Sequence, residues 1–280
     1  KYFYLHKTAK NLINTNKYEK CFSHMSPISL FVLTSQLKRK NIETTLWFTH
    51  PGPGFGIKKL ILYITTKMTK NVITASSTSF PFMSEKVSII GHAIDLSSFK
   101  NQKYNHQFKN FLILSRISKS KNLEVSIDAF LSSDFKSENL DIIGGPLNQK
   151  DVQYQSYLKE KYKIYNNVKF IGKVPYEKLP SFMKNYDVNF NSAGIGFFDK
   201  SVLETLSAGL INFYHNQDFD SLYLDHSKKY YFTGKEDLTK KINNLKFLND
   251  NDLKELFIIL NTNLEQHSLE TLGDRLSKFI

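Results

Sequence analysis

The chain has little cysteine and no long apolar run. Cys21 is the only cysteine among 280 residues, so no internal disulfide can form, and a reducing compartment, the cytoplasm, is predicted. No apolar run approaches the roughly 20 residues that span a bilayer, and the first residues lack a signal-peptide pattern. Solenoid repeats and low-complexity tracts are also missing. What remains is a globular composition, 41% hydrophobic, sufficient for two modest cores or one large core.

Acidic residues are in deficit. Lys and Arg number 38 against 26 Asp and Glu, and the formal charge of +12 favours nucleotides, nucleic acid or an acidic membrane face as partners. The basic residues are mostly scattered, and Lys, Asn, Ile, Phe and Tyr are abundant together, as a compositional bias of the source genome would make them. We therefore predict no nucleic-acid partner. The chain begins at Lys1 inside a predicted helix, and we expect its N-terminal part to be incomplete.

Short β-branched or aromatic runs alternate with amphipathic stretches from Cys21 onward, which is typical of parallel strands joined by helices. The first group predicts helices over 27–40 and 58–70, and strands over 20–23, 44–48, 71–75 and 86–90. A polar segment, 91–110, predicts a linker. The second group predicts helices over 122–131, 151–162, 176–184 and 200–207, and strands over 111–114, 140–143, 168–171, 187–190 and 211–214. The tail is predicted to be mostly helical and to end in a helix over 267–279.

Ligands of such open parallel sheets bind beyond the carboxyl ends of the strands. The stretch DVNFNSAGIGFFDKSVLETLSAG, residues 187–209, is a strand, a glycine-bearing loop and a helix that carries Glu204. The N–H groups at the start of that helix favour a phosphate, and a nearby carboxylate can accept from two vicinal sugar hydroxyls. The stretch therefore predicts a nucleotide-sugar site. Arg116 and Lys121 follow another predicted strand and could bind a diphosphate, although a solvated basic loop explains them too.

Four motifs follow one another along the chain. The first two, LSRISKSKN and DIIGGP, contain Arg116 with Lys121 and the glycine pair Gly144 and Gly145. The other two are VKFIGKVPYEKLPSFMKNYDVNF and LETLSAG. In this order they resemble glycosyltransferase family 4, the glycosyl transferases group 1, and the last two match the family pattern at Phe170, Gly172, Val174, Leu179, Asp187, Glu204 and Gly209.

The resemblance implies the GT-B fold: an α/β protein with two Rossmann-like domains facing a cleft. We expect an incomplete acceptor-side domain over 1–95, a nucleotide-sugar-binding domain over 96–265, and a C-terminal helix over 266–280 that packs back on the first domain. The implied activity is hexosyl transfer with retention of configuration from a UDP- or GDP-linked sugar to a glycan or lipid-linked acceptor, in cell-envelope polysaccharide biosynthesis. The expected location is cytoplasmic, with peripheral contact with the inner face of an anionic membrane as a further option.

The resemblance also assigns roles to residues. The diphosphate and nucleotide would be held by Arg116, Lys121, Gly145, Val174, Lys200 and Glu204, and the catalytic residues would be His24, His50 and Asp199. His50 resembles the histidine that ends a family strand, and His92 is a weaker candidate. Many members carry a first glutamate eight positions before the second, where this chain has Gly196; a bacterial subgroup instead places Asp-Lys before the helix, as Asp199 and Lys200 do here. Asp199 could equally be a helix N-cap that accepts from the N–H of Val202 or its neighbour, and both roles could hold together.

Three further features have competing interpretations. The triplet Asp218-Phe219-Asp220 looks like a metal-binding Asp-x-Asp, but a GT-B site holds its diphosphate without metal, so no metal is predicted. The helix over 57–70 could rest on anionic lipid or pack its apolar face in the core, and core packing is favoured. Two alternatives to the transferase stay open: a non-catalytic basic α/β module that binds nucleic acid or a polyanionic glycan, and a degenerate transferase that binds donor without turnover.

Overall fold

The computed structural model describes residues 2–100 and 107–280. The chain divides into two compact units. Unit 1 comprises Lys1–His92, Gly196–Phe198 and Glu270–Ile280, and unit 2 comprises Ala93–Ile195 and Asp199–Leu269. Within the described ranges, no helix is both long enough and apolar enough to cross a membrane.

Unit 1 contains a four-stranded parallel sheet in the order β1-β2-β3-β4. Its strands are β1 (Lys20–His24), β2 (Glu43–Trp47), β3 (Asn71–Thr74) and β4 (Val87–Ile89). All four predicted strands are confirmed to within one residue at each end, because each is a short apolar run between polar turns.

Three helices accompany this sheet: α1 (Tyr2–Thr15), α2 (Pro27–Arg39) and α3 (Ile57–Met68). Proline at the start of α2 needs no N–H there, and Lys38 and Arg39 complement the negative end of its dipole. The core between helices and sheet includes Leu30, Leu37, Leu46, Leu62 and Val72, none more than 2% exposed.

Unit 2 contains a five-stranded parallel sheet in the order β7-β6-β5-β8-β9. Its strands are β5 (Asn110–Leu114), β6 (Asn139–Ile143), β7 (Val168–Gly172), β8 (Val188–Asn191) and β9 (Ile211–Tyr214). The chain adds strands to one side of β5 and then to the other, so the order reverses between β5 and β8. Crevices for ligands form at such a reversal, at the carboxyl ends of the strands.

The helices of unit 2 surround this sheet and continue into the tail. In chain order they are α4 (Leu96–Phe99), α5 (Leu123–Leu131), α6 (Gln149–Lys161), α7 (Leu179–Met183), α8 (Lys200–Ser207), α9 (Asp220–Tyr223), α10 (Ser227–Tyr230), α11 (Lys235–Asn243) and α12 (Asp250–Leu264). Single 3₁₀ turns occur at Lys119–Lys121, Tyr176–Lys178, Gln217–Phe219, Leu224–His226, Asn244–Phe247 and Glu265–His267.

Two sequence predictions differ from the structure. The predicted linker over 91–110 is wrong at 94–99: the Asp95 carboxylate caps α4, and Phe99, only 2% exposed, packs in the unit 2 core. Residues 101–106 of that linker lie outside the described part. The predicted helix over 267–279 is confined to α13 (Leu272–Leu276), since Ser268 instead forms a parallel bridge with Ile94.

A buried amide network joins the centre of the unit 2 sheet to α8. The ladder between β5 and β8 ends early, and the Asn189 side-chain carbonyl accepts from the N–H of Leu114 at 3.0 Å. The Asn189 amide donates to the side-chain oxygen of Asn212 at 2.6 Å, and the Thr205 hydroxyl on α8 donates to the same oxygen. This network fixes the end of β5 relative to α8.

We predict that Asn189→Leu lowers the free energy of unfolding by about 1–3 kcal/mol, because the buried Leu114 N–H loses its acceptor. Urea titration measures the change. The matched control is Asn139→Leu at an exposed position on β6, where the expected change is within about 0.5 kcal/mol. Equal losses in the two variants would contradict a special role for the buried amide.

Candidate functional site

A pocket of about 370 Å³ lies in unit 2, at the carboxyl ends of β5, β6 and β7 and the start of α8. It is called the β5–α8 pocket here. Four cationic side chains and two carboxylates line it, so its charged lining is net positive: Arg116, Lys121, Lys173 and Lys200, with Asp199 and Glu204. Backbone and small or apolar side chains complete the lining, among them Ser115, Gly144, Gly145, Val174 and Ser201.

Lys121 is the most deeply placed cation of the pocket. It closes the 3₁₀ turn Lys119–Lys121 after β5 and is 5% exposed. Its ammonium donates to Asp199 Oδ1 at 2.5 Å. Burial lowers the pKa of Lys121, the Asp199 carboxylate counters part of this effect, and the charge of Arg116 lowers the pKa further. A buried ammonium of this kind retains its charge only with anionic partners.

Asp199 stands at the N-cap position of α8, but its carboxylate makes no capping hydrogen bond. The predicted cap to Val202 is therefore wrong for the side chain, and the N–H of Val202 bonds to the Asp199 backbone carbonyl instead. One carboxylate oxygen accepts from Lys121 and the other accepts from the Asn191 amide at 2.9 Å. Asp199 pairs with Lys121 because leaving a buried ammonium without an anion is less favourable in free energy than leaving the start of α8 without a side-chain cap.

Glu204 lies on α8 and is only 7% exposed. Burial raises the pKa of its carboxyl group above the ordinary value, while a hydrogen bond with Tyr176 and the charge of Lys200 offset part of that rise. Burial and the neighbouring carboxylate together raise the pKa of Tyr176 to about 12, so its hydroxyl remains a donor near neutral pH. The site thus holds a carboxylate with spare acceptor capacity beside an exchangeable hydroxyl donor.

The glycine pair after β6 shapes the floor of the pocket. Gly144 has φ of +140°, and a Cβ there would lie 1.8 Å from the carbonyl oxygen of Ser115. At Gly145 a Cβ would lie 2.7 Å from the Lys173 side chain. Glycine is required at the first position by backbone contact, and at the second it leaves room for Lys173 to line the pocket.

The other predicted donor-site residues also line this pocket. Arg116 is exposed on the loop after β5, and Val174 packs half-buried against the unit 2 core. Lys200 is exposed at the start of α8, and its ammonium donates to the Ala93 carbonyl at 3.3 Å. Lysine at a helix start is disfavoured by the dipole unless an anion lies near it.

The two predicted catalytic histidines lie in unit 1. His24 ends β1, is exposed, and packs edge-on against Trp47 with ring centroids 5.2 Å apart. His50 follows β2, and its Nδ1 accepts from the N–H of Gly52 at 3.1 Å. Because β1 and β2 are parallel neighbours, both histidines lie at the carboxyl edge of the unit 1 sheet. His92 is buried, and its Nε2 lies 2.6 Å from the Phe198 carbonyl oxygen.

Gly196 stands where many family members carry the first glutamate. Its φ is +87°, and a Cβ there would lie 2.5 Å from Pro51 Cβ and 3.1 Å from the Thr78 carbonyl oxygen, all within unit 1. A side chain at this position would displace Pro51 or change the backbone. The missing glutamate therefore has a steric reason in this chain.

The structure brings seven predicted site residues into one pocket: Arg116, Lys121, Gly145, Val174, Asp199, Lys200 and Glu204. Sequence reasoning missed Lys173, Tyr176 and Asn191. Lys173 lies between two motif positions and could have been noticed, whereas nothing in the sequence links Tyr176 to Glu204 or Asn191 to Asp199. In the described part of the chain, no group of three or more His, Cys, Asp or Glu side chains could hold a metal ion; Asp220 accepts from the Tyr214 hydroxyl.

Comparison with known families gives one match, to the model described as glycosyl transferases group 1, over residues 95–259. That span is more than half of the chain and includes every residue of the β5–α8 pocket. No curated protein sequence matches the chain.

Solved structures share the fold at low sequence identity. HepE of Anabaena in complex with UDP-glucose is 14% identical and has a TM-score of 0.77, over 99% of this chain and 80% of that one. A glycosyltransferase of Rickettsia africae is 15% identical and has a TM-score of 0.75, over 99% of this chain and 81% of that one. Sucrose-phosphate synthase of Thermosynechococcus elongatus is 13% identical and has a TM-score of 0.77, over 98% of this chain and 75% of that one. The predicted GT-B class, an α/β fold with parallel sheets, is confirmed.

Replacing Gly196 with alanine is expected to lower the free energy of unfolding by about 2–4 kcal/mol, from the positive φ and the clash with Pro51. Gly194→Ala is the control, since a Cβ there meets nothing within 4 Å; it should change stability by less than about 1 kcal/mol. Chemical denaturation measures both. If Gly196→Ala left the free energy of unfolding unchanged, the steric explanation for the missing glutamate would be wrong.

Glu204→Gln is expected to stabilise the ligand-free protein at about pH 7 and to have little effect at about pH 4. Because the pKa of Glu204 is raised on folding, the folded state retains the proton more strongly, and its stability falls as pH rises past the ordinary value of 4.5. Glutamine does not ionise, so the variant does not lose stability in this way as the pH rises. Thermal unfolding at the two pH values tests this, with exposed Glu160→Gln as the control. A stabilisation equal at both pH values would contradict the assignment.

Proposed function

This chain belongs to the glycosyl transferases group 1 family, and from that premise we propose that it transfers a sugar from a nucleotide donor to a glycan or lipid-linked acceptor, retaining the anomeric configuration. The observation that carries the proposal is the β5–α8 pocket, where four cations and a buried carboxylate meet at the sheet reversal of unit 2. A nucleoside diphosphate needs both features: positive charge for the phosphates and an acceptor for sugar hydroxyls.

In this proposal the diphosphate binds Arg116, Lys121 and Lys200. Each charge-assisted hydrogen bond contributes about 1.5–3 kcal/mol. As the sugar–phosphate bond breaks, negative charge grows on the leaving oxygen, so these cations and the start of α8 stabilise the transition state more than the ground state. The departing phosphate takes the proton of the attacking hydroxyl on the same face, and no protein nucleophile is needed.

Glu204 is proposed to accept from the two ribose hydroxyls. Its carboxylate is nearly buried, so leaving it charged without partners is unfavourable, and two hydroxyl donors would offset that cost. Tyr176 forms a hydrogen bond with the same carboxylate. Gly145 and Val174 would border the nucleotide, as lining residues of the same pocket.

Asp199 is proposed to contact the transferred sugar after phosphate oxygens replace its carboxylate as acceptors of the Lys121 ammonium. The Lys121 ammonium that the diphosphate would bind donates to the Asp199 carboxylate. A donor that binds Lys121 would release one Asp199 oxygen, while Asn191 continues to hold the other. His50 and His24 are also proposed as catalytic residues, each to be tested by its own substitution.

The donor is proposed to be UDP-linked, with GDP as the other candidate. Support comes from the structure of HepE with UDP-glucose, a protein of the same fold. The acceptor class and a role in cell-envelope polysaccharide synthesis within the cytoplasm are part of the same proposal. We also propose domain limits at 1–95 and 96–265, with the remaining residues, 266–280, forming the C-terminal segment.

Calorimetric titration with UDP, GDP, ADP and their sugars tests the proposal. Lys121→Met should weaken binding of the preferred nucleotide by about 10- to 100-fold, and Lys119→Met, on the same turn but exposed, by less than about twofold. Glu204→Gln should weaken nucleosides and nucleotides alike by about tenfold, because one hydroxyl contact is lost.

Three outcomes would argue against transfer. The absence of any nucleotide binding would exclude the donor site. Salt-sensitive binding of nucleic acid that Glu204→Gln leaves unchanged would favour the basic-module alternative. Donor binding with neither transfer nor hydrolysis would favour the degenerate transferase.

A further inference from the structure

Helix α3 of unit 1 presents apolar side chains outward and buries threonines. Ile57, Leu60 and Tyr63 are 73%, 56% and 44% exposed, whereas Thr65 and Thr66 are 0% and 3% exposed. The three outward residues are spaced three apart, so they share one face of the helix. A surface helix facing only water has the opposite arrangement, with polar residues outward. The outward face of α3 is therefore suited to an environment other than water.

The inward threonines bond chiefly to carbonyls of their own helix, and the Thr65 hydroxyl also lies 3.3 Å from the Pro27 carbonyl oxygen. The Thr65 hydroxyl donates to the Ile61 carbonyl at 2.7 Å, and the Thr66 hydroxyl donates to the Leu62 carbonyl at 2.8 Å. Leu62, 1% exposed, supplies the core contact. The predicted packing of this helix's apolar face in the core is thus wrong for the three outward residues.

Neighbouring loops extend the apolar surface. Phe55, just before the helix, is 95% exposed, and Met83 is fully exposed. The ring of Phe82, next to Met83, contacts the ring of Tyr63 with centroids 5.4 Å apart, which places the Met83 loop beside the helix. A patch with several large apolar side chains in contact marks an interaction surface.

The formal charge of residues 1–92 is predominantly positive. Helices α1, α2 and α3 contain no Asp or Glu, and residues 1–92 carry 13 Lys and Arg against 3 Glu, a formal +10 of the chain's +12. On α3 itself, the ammonium groups of Lys59 and Lys67 lie 5.3 Å and 5.5 Å from the ring centroids of Phe55 and Tyr63. The basic residues are spread along the chain as expected, since 13 of the 38 lie in this third of it, and the local charge arises because only 3 of the 26 acidic residues lie there. Like charge disfavours a second copy as occupant.

We propose that the outward face of α3 docks on the surface of an anionic lipid bilayer. The apolar side chains would enter the boundary between headgroups and acyl chains, while Lys58, Lys59 and Lys67 bind anionic headgroups. A bilayer accommodates protruding Phe, Ile and Met side chains without matching pockets, which an acidic protein partner would have to supply. The surface belongs entirely to unit 1, and the inference stands independently of the proposed donor pocket.

Vesicle flotation with the full chain tests the proposal. Vesicles of phosphatidylcholine with about one third phosphatidylglycerol should bind the protein, and phosphatidylcholine alone should bind at least tenfold less. Raising salt to about 0.5 M should weaken the anionic binding, because the headgroup attraction is screened.

Substitutions locate the contact. Leu60→Ser should reduce binding about tenfold, and Ile258→Ser, at a position 65% exposed on α12 of unit 2, should not. The double variant Lys58→Glu/Lys67→Glu should reduce vesicle binding more than a hundredfold. The control double variant Lys159→Glu/Lys254→Glu, on α6 and α12 of unit 2, has the same net charge and should reduce binding far less. Thermal unfolding checks that each variant folds.

Several results would overturn the proposal. These are equal binding to neutral vesicles, no binding to either vesicle, or equal losses in the α3 variants and their unit 2 controls. A dimer in light scattering that Leu60→Ser abolishes would assign the surface to a second copy instead. Nucleotide titration of Leu60→Ser should match the parent, which keeps this test separate from that of the donor pocket.

Discussion

The burial of one ammonium group governs the β5–α8 pocket. Lys121 is nearly inaccessible to water, so its charge requires an anionic partner, and Asp199 forms an ion pair with it. The ion pair joins the turn after β5 to the start of α8 and takes the Asp199 carboxylate away from helix capping. A diphosphate could meet the same requirement, which is why the structural ion pair and the proposed donor site use one lysine.

The polar interior of the unit 2 sheet supports this arrangement. Between β5 and β8, where the strand order reverses, Asn189 replaces a missing ladder acceptor and continues through Asn212 to Thr205 on α8. Two residues later, on the same face of β8, the Asn191 amide donates to Asp199. Buried amides of this kind are directional, so they position the pocket walls more strictly than apolar packing would.

Periodicity and motifs predicted all nine strands found within residues 2–100 and 107–280 and most of the helices there, since short apolar runs bounded by turns are local signals. They also predicted seven residues of one pocket. They failed where the outcome depends on a distant partner. The side chain of Asp199 looked like a cap because Lys121 is 78 residues away, and α3 looked like a core helix because its sequence does not reveal which face meets the sheet.

The amino-acid sequence by itself determined the alternation of strands and helices, the excess positive charge and the order of the family motifs. Those properties depend on composition and on residues that are close together in the sequence. Tertiary structure alone decided that Glu204 is buried beside Tyr176, that Gly196 has no room for a side chain, and that α3 turns Ile57 and Leu60 outward. The physical reason is that burial, steric contact and the pairing of charges depend on which groups meet in space.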